Sequence, residues 1–153
     1  MKILSSGLIH LFFLICLFGL LWFNDVGFSF WVFQIIYYLF ALLVLMLGLS
    51  WLTSALNVFV KDVGQIVSIF LQFGFWATPI FWNVNQIPEM YRFYFQLNPM
   101  HYIVEGYRDA FIFHVPFWEK WEAGLFFWCV NITILLVGVV TFKRLRPHFA
   151  DVL

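Results

Sequence analysis

The chain has 153 residues, of which 64% are hydrophobic and 10% are charged, and its formal net charge at pH 7 is zero. This composition excludes an ordinary soluble domain and predicts a polytopic membrane protein. Without an excess of basic residues, a nucleic-acid partner has no support. Cys16 and Cys129 both lie in apolar segments, where they predict neither a disulfide framework nor a metal site.

Four apolar segments are long enough to form transmembrane helices, at about 7–23, 29–58, 63–82 and 123–142. They predict an all-α fold in which residues 1–153 form a single transmembrane domain and residues 143–153 form a cytoplasmic tail. The first segment imitates a signal peptide but lacks a small-residue cleavage site before Asn24. We therefore expect it to remain as an uncleaved span.

Basic residues predict the orientation, because short cytoplasmic loops are enriched in Lys and Arg. Lys2, Lys61 and the basic run that begins at Lys143 then lie inside, and residues 83–122 lie outside. Three basic residues of the outer region are exceptions, and each has acidic neighbours. The expected pairs are Arg92 with Glu89, Arg108 with Glu105 and Asp109, and Lys120 with Glu119 and Glu122.

A segment rich in proline separates the last two apolar segments, since residues 78–116 hold four of the five prolines. Two short helices are predicted there, at 88–96 and 99–113. Pro88 suits the start of the first helix, which must end before Pro99. Asn98 is a suitable N-cap for the second. Neither helix can cross a hydrocarbon core of about 30 Å, so we expect a re-entrant hairpin, residues 88–113, between the last two spans.

Charged residues occupy one face of the second short helix, because Glu105, Arg108 and Asp109 follow His101 at i+4, i+7 and i+8. We expect Glu105 and Arg108 to neutralise each other and fix the hairpin. The alternative is that this face also meets a polar substrate at the mouth of a pathway. An acyltransferase would need a His and an acid here, and the support for that role is weak.

Motifs of nucleotide-binding and hydrolytic enzymes are absent from the sequence. It contains no G-x-x-x-x-G-K-[ST], no H-E-x-x-H and no G-x-S-x-G. The four histidines lack the spacing of metal ligands. We therefore expect that the chain is not an enzyme and binds no metal or cofactor itself.

Two helix faces stand out within the spans. Ala41, Gly48 and Ala55 are small residues seven apart in the second span, a face that favours close helix packing. A polar stripe runs along the third span, and its role as pore lining or as a source of interhelical hydrogen bonds is open. As a substrate path, the stripe would lead outward to aromatic residues near the hairpin. The residues of this path are Gln65, Ser68, Gln72, Trp76, Trp82, Tyr91, Tyr94 and Tyr102.

Three stretches carry a family resemblance: LNVFVKDVGQIVSIFLQFGFWATPIFW, LNPMHYIVEGYRDAF and the closing FKRLRPHFADVL. In combination they resemble the C-terminal part of the permease subunits of ABC-2 type polysaccharide exporters, which export O-antigen, capsule or teichoic acid. The resemblance is strongest from Leu56 to the end of the chain.

The resemblance implies an all-α subunit of the bacterial cytoplasmic (inner) membrane that pairs with a second permease copy. Two copies of a separate ATP-binding subunit would use ATP to drive lipid-linked polysaccharide outward. Two re-entrant helices lie between the last two spans of such permeases, which matches Pro88–Gln96 and Pro99–Phe113 here. Residues 57–65, with Lys61 and Asp62, would form a cytoplasmic loop near the ATP-binding subunit.

The family pattern also includes an N-terminal interface helix, two further spans and a coupling loop, which this sequence lacks. We therefore expect a truncated form. Two alternatives are an ABC-2 permease for another cargo, such as a drug or lipid, and a remnant that no longer transports.

Overall fold

The structure is a computed structural model that describes residues 2–24, 29–82 and 84–151. The described residues form six α-helices and no strand, so the all-α prediction is confirmed for them. The helices are α1 (Lys2–Phe23), α2 (Ile35–Phe59), α3 (Val63–Ala77), α4 (Glu89–Gln96), α5 (Pro99–Arg108) and α6 (Trp121–Leu145). Short 3-10 turns at Phe30–Gln34, Val84–Gln86 and Arg146–Asp151 flank α2, α4 and α6.

The chain divides into two compact units, of which the first contains α1 and the second begins at Trp31. The described part of the first unit consists mainly of α1, whose Ser5–Phe23 portion is long and apolar enough to cross a membrane. The second unit contains α2 to α6, and it holds the core and the functional site.

Three helical segments of the described chain are long and apolar enough to cross a membrane: Ser5–Phe23, Phe30–Phe59 and Trp121–Phe149. The predicted span at 63–82 is helical only as far as Ala77. Pro79 explains this end, because a residue before proline avoids the helical region, and Thr78 is extended at φ −83° and ψ 131°. The 15 residues of α3 measure about 22 Å at 1.5 Å per residue, which is less than the apolar core of a bilayer. The four-span arrangement is therefore not confirmed.

Helices α2 and α6 pack side by side in parallel. Ala41 contacts Asn131, Gly48 contacts Gly138, and Phe59 reaches Phe149 beyond the end of α6. The predicted small-residue face of α2 is confirmed, since Ala41, Gly48 and Ala55 are all buried.

Aromatic side chains fill the end of this bundle where α2 and α6 begin. Tyr38 near the start of α2 and Phe127 near the start of α6 are almost fully buried, and both pack on Tyr102 of α5. Gly106 permits this packing, because a Cβ at that position would overlap the Tyr38 ring. The hairpin therefore lies at the end of the bundle where α2 and α6 begin, and the turn from α2 to α3 lies near the opposite end.

The two short helices of the hairpin are present at the predicted stretches. After α5, residues Asp109–Phe113 add one π-helical turn, and His114 adopts the left-handed conformation at φ 55°. This residue turns the chain back towards the start of α6. A re-entrant position in the membrane stays a prediction.

We predict that Gly138→Ala lowers the free energy of unfolding by about 1–3 kcal/mol, the usual cost of overpacking a tight contact. The added methyl group would overlap the backbone carbonyl oxygen of Gly48, which cannot move without shifting α2. Gly74→Ala is the matched control, since no atom lies within 4 Å of a Cβ there. Unfolding in mixed micelles measures both, and equal stability of the two variants would contradict the tight α2–α6 contact.

Candidate functional site

The hairpin and the start of α6 enclose a cavity of about 570 Å³. This volume is within the range of about 300–1,000 Å³ that small-molecule sites have. The buried rings of Tyr38, Tyr102 and Phe127 line its inner part. Polar and charged side chains from three helices complete the lining: Arg92, Gln96, Asn98, His101, Glu105, Asp109, Lys120 and Glu122.

Asn98 joins the start of α5 to the end of α3. Its Oδ1 accepts a hydrogen bond from the Met100 backbone N–H at 3.0 Å, which confirms the predicted N-cap. Its Nδ2 donates to Thr78 Oγ1 at 2.8 Å, and that hydroxyl donates to the Gly74 carbonyl at 2.7 Å. One amide thus caps one helix and connects it to the C-terminal turn of another.

Glu105 and Arg108 form the predicted ion pair, with Arg108 Nη1 at 2.7 Å from Glu105 Oε1. Arg108 Nη2 also donates to the Ile80 carbonyl at 3.0 Å. The Arg108 side chain therefore holds α5 against the segment that follows Pro79, where no helix satisfies the backbone carbonyl groups. The predicted pair of Arg92 with Glu89 is also present, at 3.7 Å.

Lys120 has a different partner from the predicted Glu119 and Glu122. Its Nζ lies 2.5 Å from Oδ2 of Asp109, whose side chain is almost fully buried. The π-turn and the left-handed His114 bring the start of α6 back over this carboxylate. The spacing of residues in the sequence does not predict this contact. A buried carboxylate without a partner would be costly, so the pair ties the end of the hairpin to α6.

Gln34, which the sequence analysis missed, holds the segment between α5 and α6. Its Nε2 donates to the Val115 carbonyl at 2.9 Å, and its Oε1 accepts from the Phe117 backbone N–H at 3.0 Å. The amide thereby satisfies two backbone groups of a segment that has no helix of its own. The feature of the sequence that could have identified this role is a single Gln in an otherwise apolar run.

A second missed feature is a chain of hydrogen bonds beneath the cavity. The hydroxyl groups of Tyr37 and Tyr102 lie 3.1 Å apart, and Trp128 Nε1 donates to the Tyr37 hydroxyl at 2.8 Å. These bonds connect α2, α5 and α6, so they fix the position of α5 between the two long helices.

His101 lines the cavity with a ring whose hydrogen bonding is incomplete. Its Nδ1 is buried, and no group in the described part of the chain hydrogen-bonds to it. Burial lowers the pKa of His101 below its usual value, and this effect exceeds the opposing one of the Glu105 carboxylate. The imidazole is therefore neutral at pH 7, with one nitrogen that donates and one that accepts.

The residues of the predicted substrate path lie in three different places. The members on α3, namely Gln65, Ser68, Gln72 and Trp76, are exposed along that helix. Trp82 packs against Phe95 of α4, while Tyr91 and Tyr94 are exposed on α4. Tyr102 is buried at the cavity. Ser68 Oγ donates to the Gly64 carbonyl of its own helix at 2.9 Å, and the roles of these residues stay predictions.

We predict that Glu105→Ala lowers the free energy of unfolding by about 1–3 kcal/mol, because Arg108 loses its charged partner in a largely desolvated position. The two side chains are 26% and 23% exposed. Glu89→Ala is the matched control at the same i,i+3 spacing, and its 90% exposed carboxylate should contribute less than about 1 kcal/mol. Unfolding in mixed micelles should also show that Glu105→Gln with Arg108→Met is milder than Glu105→Ala. A double variant as unstable as the single one would contradict pairing as the main role.

Comparison with known proteins agrees with the sequence resemblance. Residues 1–112 match the family model described as ABC-2 type transporter. Two proteins from Klebsiella pneumoniae, both named O-antigen export system permease protein RfbA, are 30% and 27% identical to the chain over 106 residues. The matched segment is 69% of this chain and 40% of each relative. The chain therefore belongs to the ABC-2 type transporter family, whose members are membrane subunits of transporters.

Proposed function

We propose that the chain is the membrane-spanning subunit of an exporter that moves lipid-linked polysaccharide, such as O-antigen, across the bacterial inner membrane. The observation that carries this proposal is the similarity over 106 residues to proteins named for O-antigen export. A separate ATP-binding subunit supplies the energy, and a second copy of the permease completes the membrane part. ATP is used by that partner, because the sequence has no Walker loop of its own.

The arrangement of the second unit supports this proposal. The parallel packing of α2 and α6 requires the chain to return between them, and α3 with the segment after it makes this return. Thr78 and Ile80 reach the hairpin at the end of the bundle where α2 began. Lys61 and the basic residues from Lys143 lie at the opposite end, which the distribution of positive charge assigns to the cytoplasm. The hairpin then lies at the outer surface.

The polar stripe on α3 is our candidate for the route of the polysaccharide through the membrane. Gln65, Ser68 and Gln72 provide hydrogen-bonding groups, and Trp76 provides an aromatic face for a sugar ring. Their exposure leaves this face open to a ligand or to another subunit.

We predict that cysteines at Gln72 and Trp76 react with a water-soluble thiol reagent in the complete transporter. Cysteines at Phe70 and Phe73 should react less, because they lie roughly 160° and 100° around the helix from Gln72. Cys16 and Cys129 are exposed and are first replaced by serine. Equal labelling at all four positions during active export would remove the stripe from the route.

Lys61 and Asp62 are our candidates for contact with the ATP-binding subunit, since both are exposed in the turn between α2 and α3. Alternatively, they only anchor the ends of the two helices at the membrane surface. We predict that Lys61→Glu with Asp62→Lys weakens co-purification of a tagged ATP-binding subunit with the complete transporter. Glu119→Lys, near the opposite end of the second unit, should leave it unchanged. Full co-purification of the reversed variant would favour the anchoring role.

A chimera tests the proposed cargo. In cells that lack RfbA, the aligned 106-residue segment of the Klebsiella protein is replaced by the segment of this chain. We expect O-antigen at the cell surface, measured by antibody labelling, and none when the ATP-binding subunit carries an inactive Walker loop. A chimera that reaches the membrane in normal amount but exports no O-antigen would contradict the proposal. Export of a drug or lipid by the same chimera would favour another cargo.

A further inference from the structure

We infer that the cavity beneath the hairpin is a binding site for a neutral sugar unit of the exported glycan. This inference rests on the proposed function, and it assigns a ligand to a position distinct from the stripe on α3. The site lies within one copy of the chain, between α4, α5 and the start of α6.

The aromatic lining suits a sugar ring. The buried rings of Tyr102 and Phe127 stack on each other, with centroids 4.9 Å apart, and form a rigid inner wall. Phe93 and Phe126 line the cavity with exposed rings. A sugar presents apolar C–H faces to such rings, and its hydroxyl groups need polar side chains placed beside them.

Three polar side chains of the lining remain available for the hydroxyl groups of a sugar. Asp109 and Glu105 are already paired with Lys120 and Arg108. In contrast, Gln96 and Glu122 make no hydrogen bond or ion pair within the described part of the chain, and both are exposed. His101 adds the buried Nδ1 that lacks a partner. An amide, a carboxylate and a neutral imidazole together provide donors and acceptors, as vicinal hydroxyl groups require.

The charges of the lining disfavour an anionic ligand. The cationic side chains at the cavity already have acidic partners, since Lys120 pairs with Asp109, Arg92 with Glu89, and Arg108, beside the lining, with Glu105. Glu122 adds a carboxylate that has no ion pair in the described part of the chain, and its negative charge repels a phosphate or an anionic lipid headgroup. A polyol without charge meets no such repulsion.

Saturation-transfer NMR on the full chain in nanodiscs tests the inference, with methyl glycosides of mannose, glucose and galactose as the probes. We expect transfer to the ring protons of at least one glycoside, and none with empty nanodiscs. Gln96→Ala and Glu122→Ala should each weaken the apparent affinity about fivefold, the value of one hydrogen bond. The matched controls Gln86→Ala and Glu119→Ala change the same residue types outside the cavity and should leave the affinity unchanged. Circular dichroism checks that all four variants keep their helices.

Transfer to no glycoside would overturn the inference. So would equal weakening by the cavity variants and their controls, or binding of glycerophosphate in preference to every glycoside. Because this experiment needs no transport, it separates the two proposals. O-antigen export by the chimera without glycoside binding would overturn the sugar site alone, whereas glycoside binding without export would overturn the proposed cargo alone.

Discussion

Where helices stop inside an apolar environment, their free backbone groups need hydrogen-bond partners, and this constraint shapes residues 78–120. Prolines interrupt the helices there, and each interruption leaves N–H and C=O groups unsatisfied. Side chains supply the missing partners. Asn98 caps α5, Arg108 binds the Ile80 carbonyl, and Gln34 binds the backbone on both sides of Pro116. Each of these bonds joins segments far apart in sequence or caps a helix, so satisfying the backbone also determines how the hairpin is held.

The same constraint accounts for the polar cavity. Side chains hold the hairpin to α2, α3 and α6, and a space remains between α4, α5 and the start of α6. Charged side chains line this space, and two of them form ion pairs, Glu105 with Arg108 and Asp109 with Lys120. Near the middle of the bundle, α2 and α6 approach so closely at Gly48 and Gly138 that no side chain fits between them. The second unit thus combines a tightly packed middle with a polar end at the hairpin.

The sequence predicts the features that depend on local rules. Pro88 and Pro99 predict where the two short helices begin, and Asn98 is predicted as the N-cap of the second. The i,i+3 spacing predicts the ion pair between Glu105 and Arg108. Contacts between distant segments could not be predicted in this way. The pairing of Lys120 with Asp109 depends on a π-turn and a left-handed His114, and the contact of Gly106 with Tyr38 joins α5 to α2, which are distant in sequence. The predicted span at 63–82 is longer than α3 because the apolar composition continues to Trp82, whereas the helix ends at Ala77, two residues before Pro79.

The central claim is that the hairpin forms a cavity that is open to water at the outer surface of the membrane. Thiol labelling in whole cells with a membrane-impermeant maleimide tests it most directly, on a chain whose Cys16 and Cys129 are replaced by serine. Single cysteines at Gln96 and Glu122 should react in intact cells, whereas a cysteine at Lys61 should react only after the inner membrane is permeabilised. Reaction of Lys61→Cys in intact cells, or protection of both cavity positions until permeabilisation, would contradict the account.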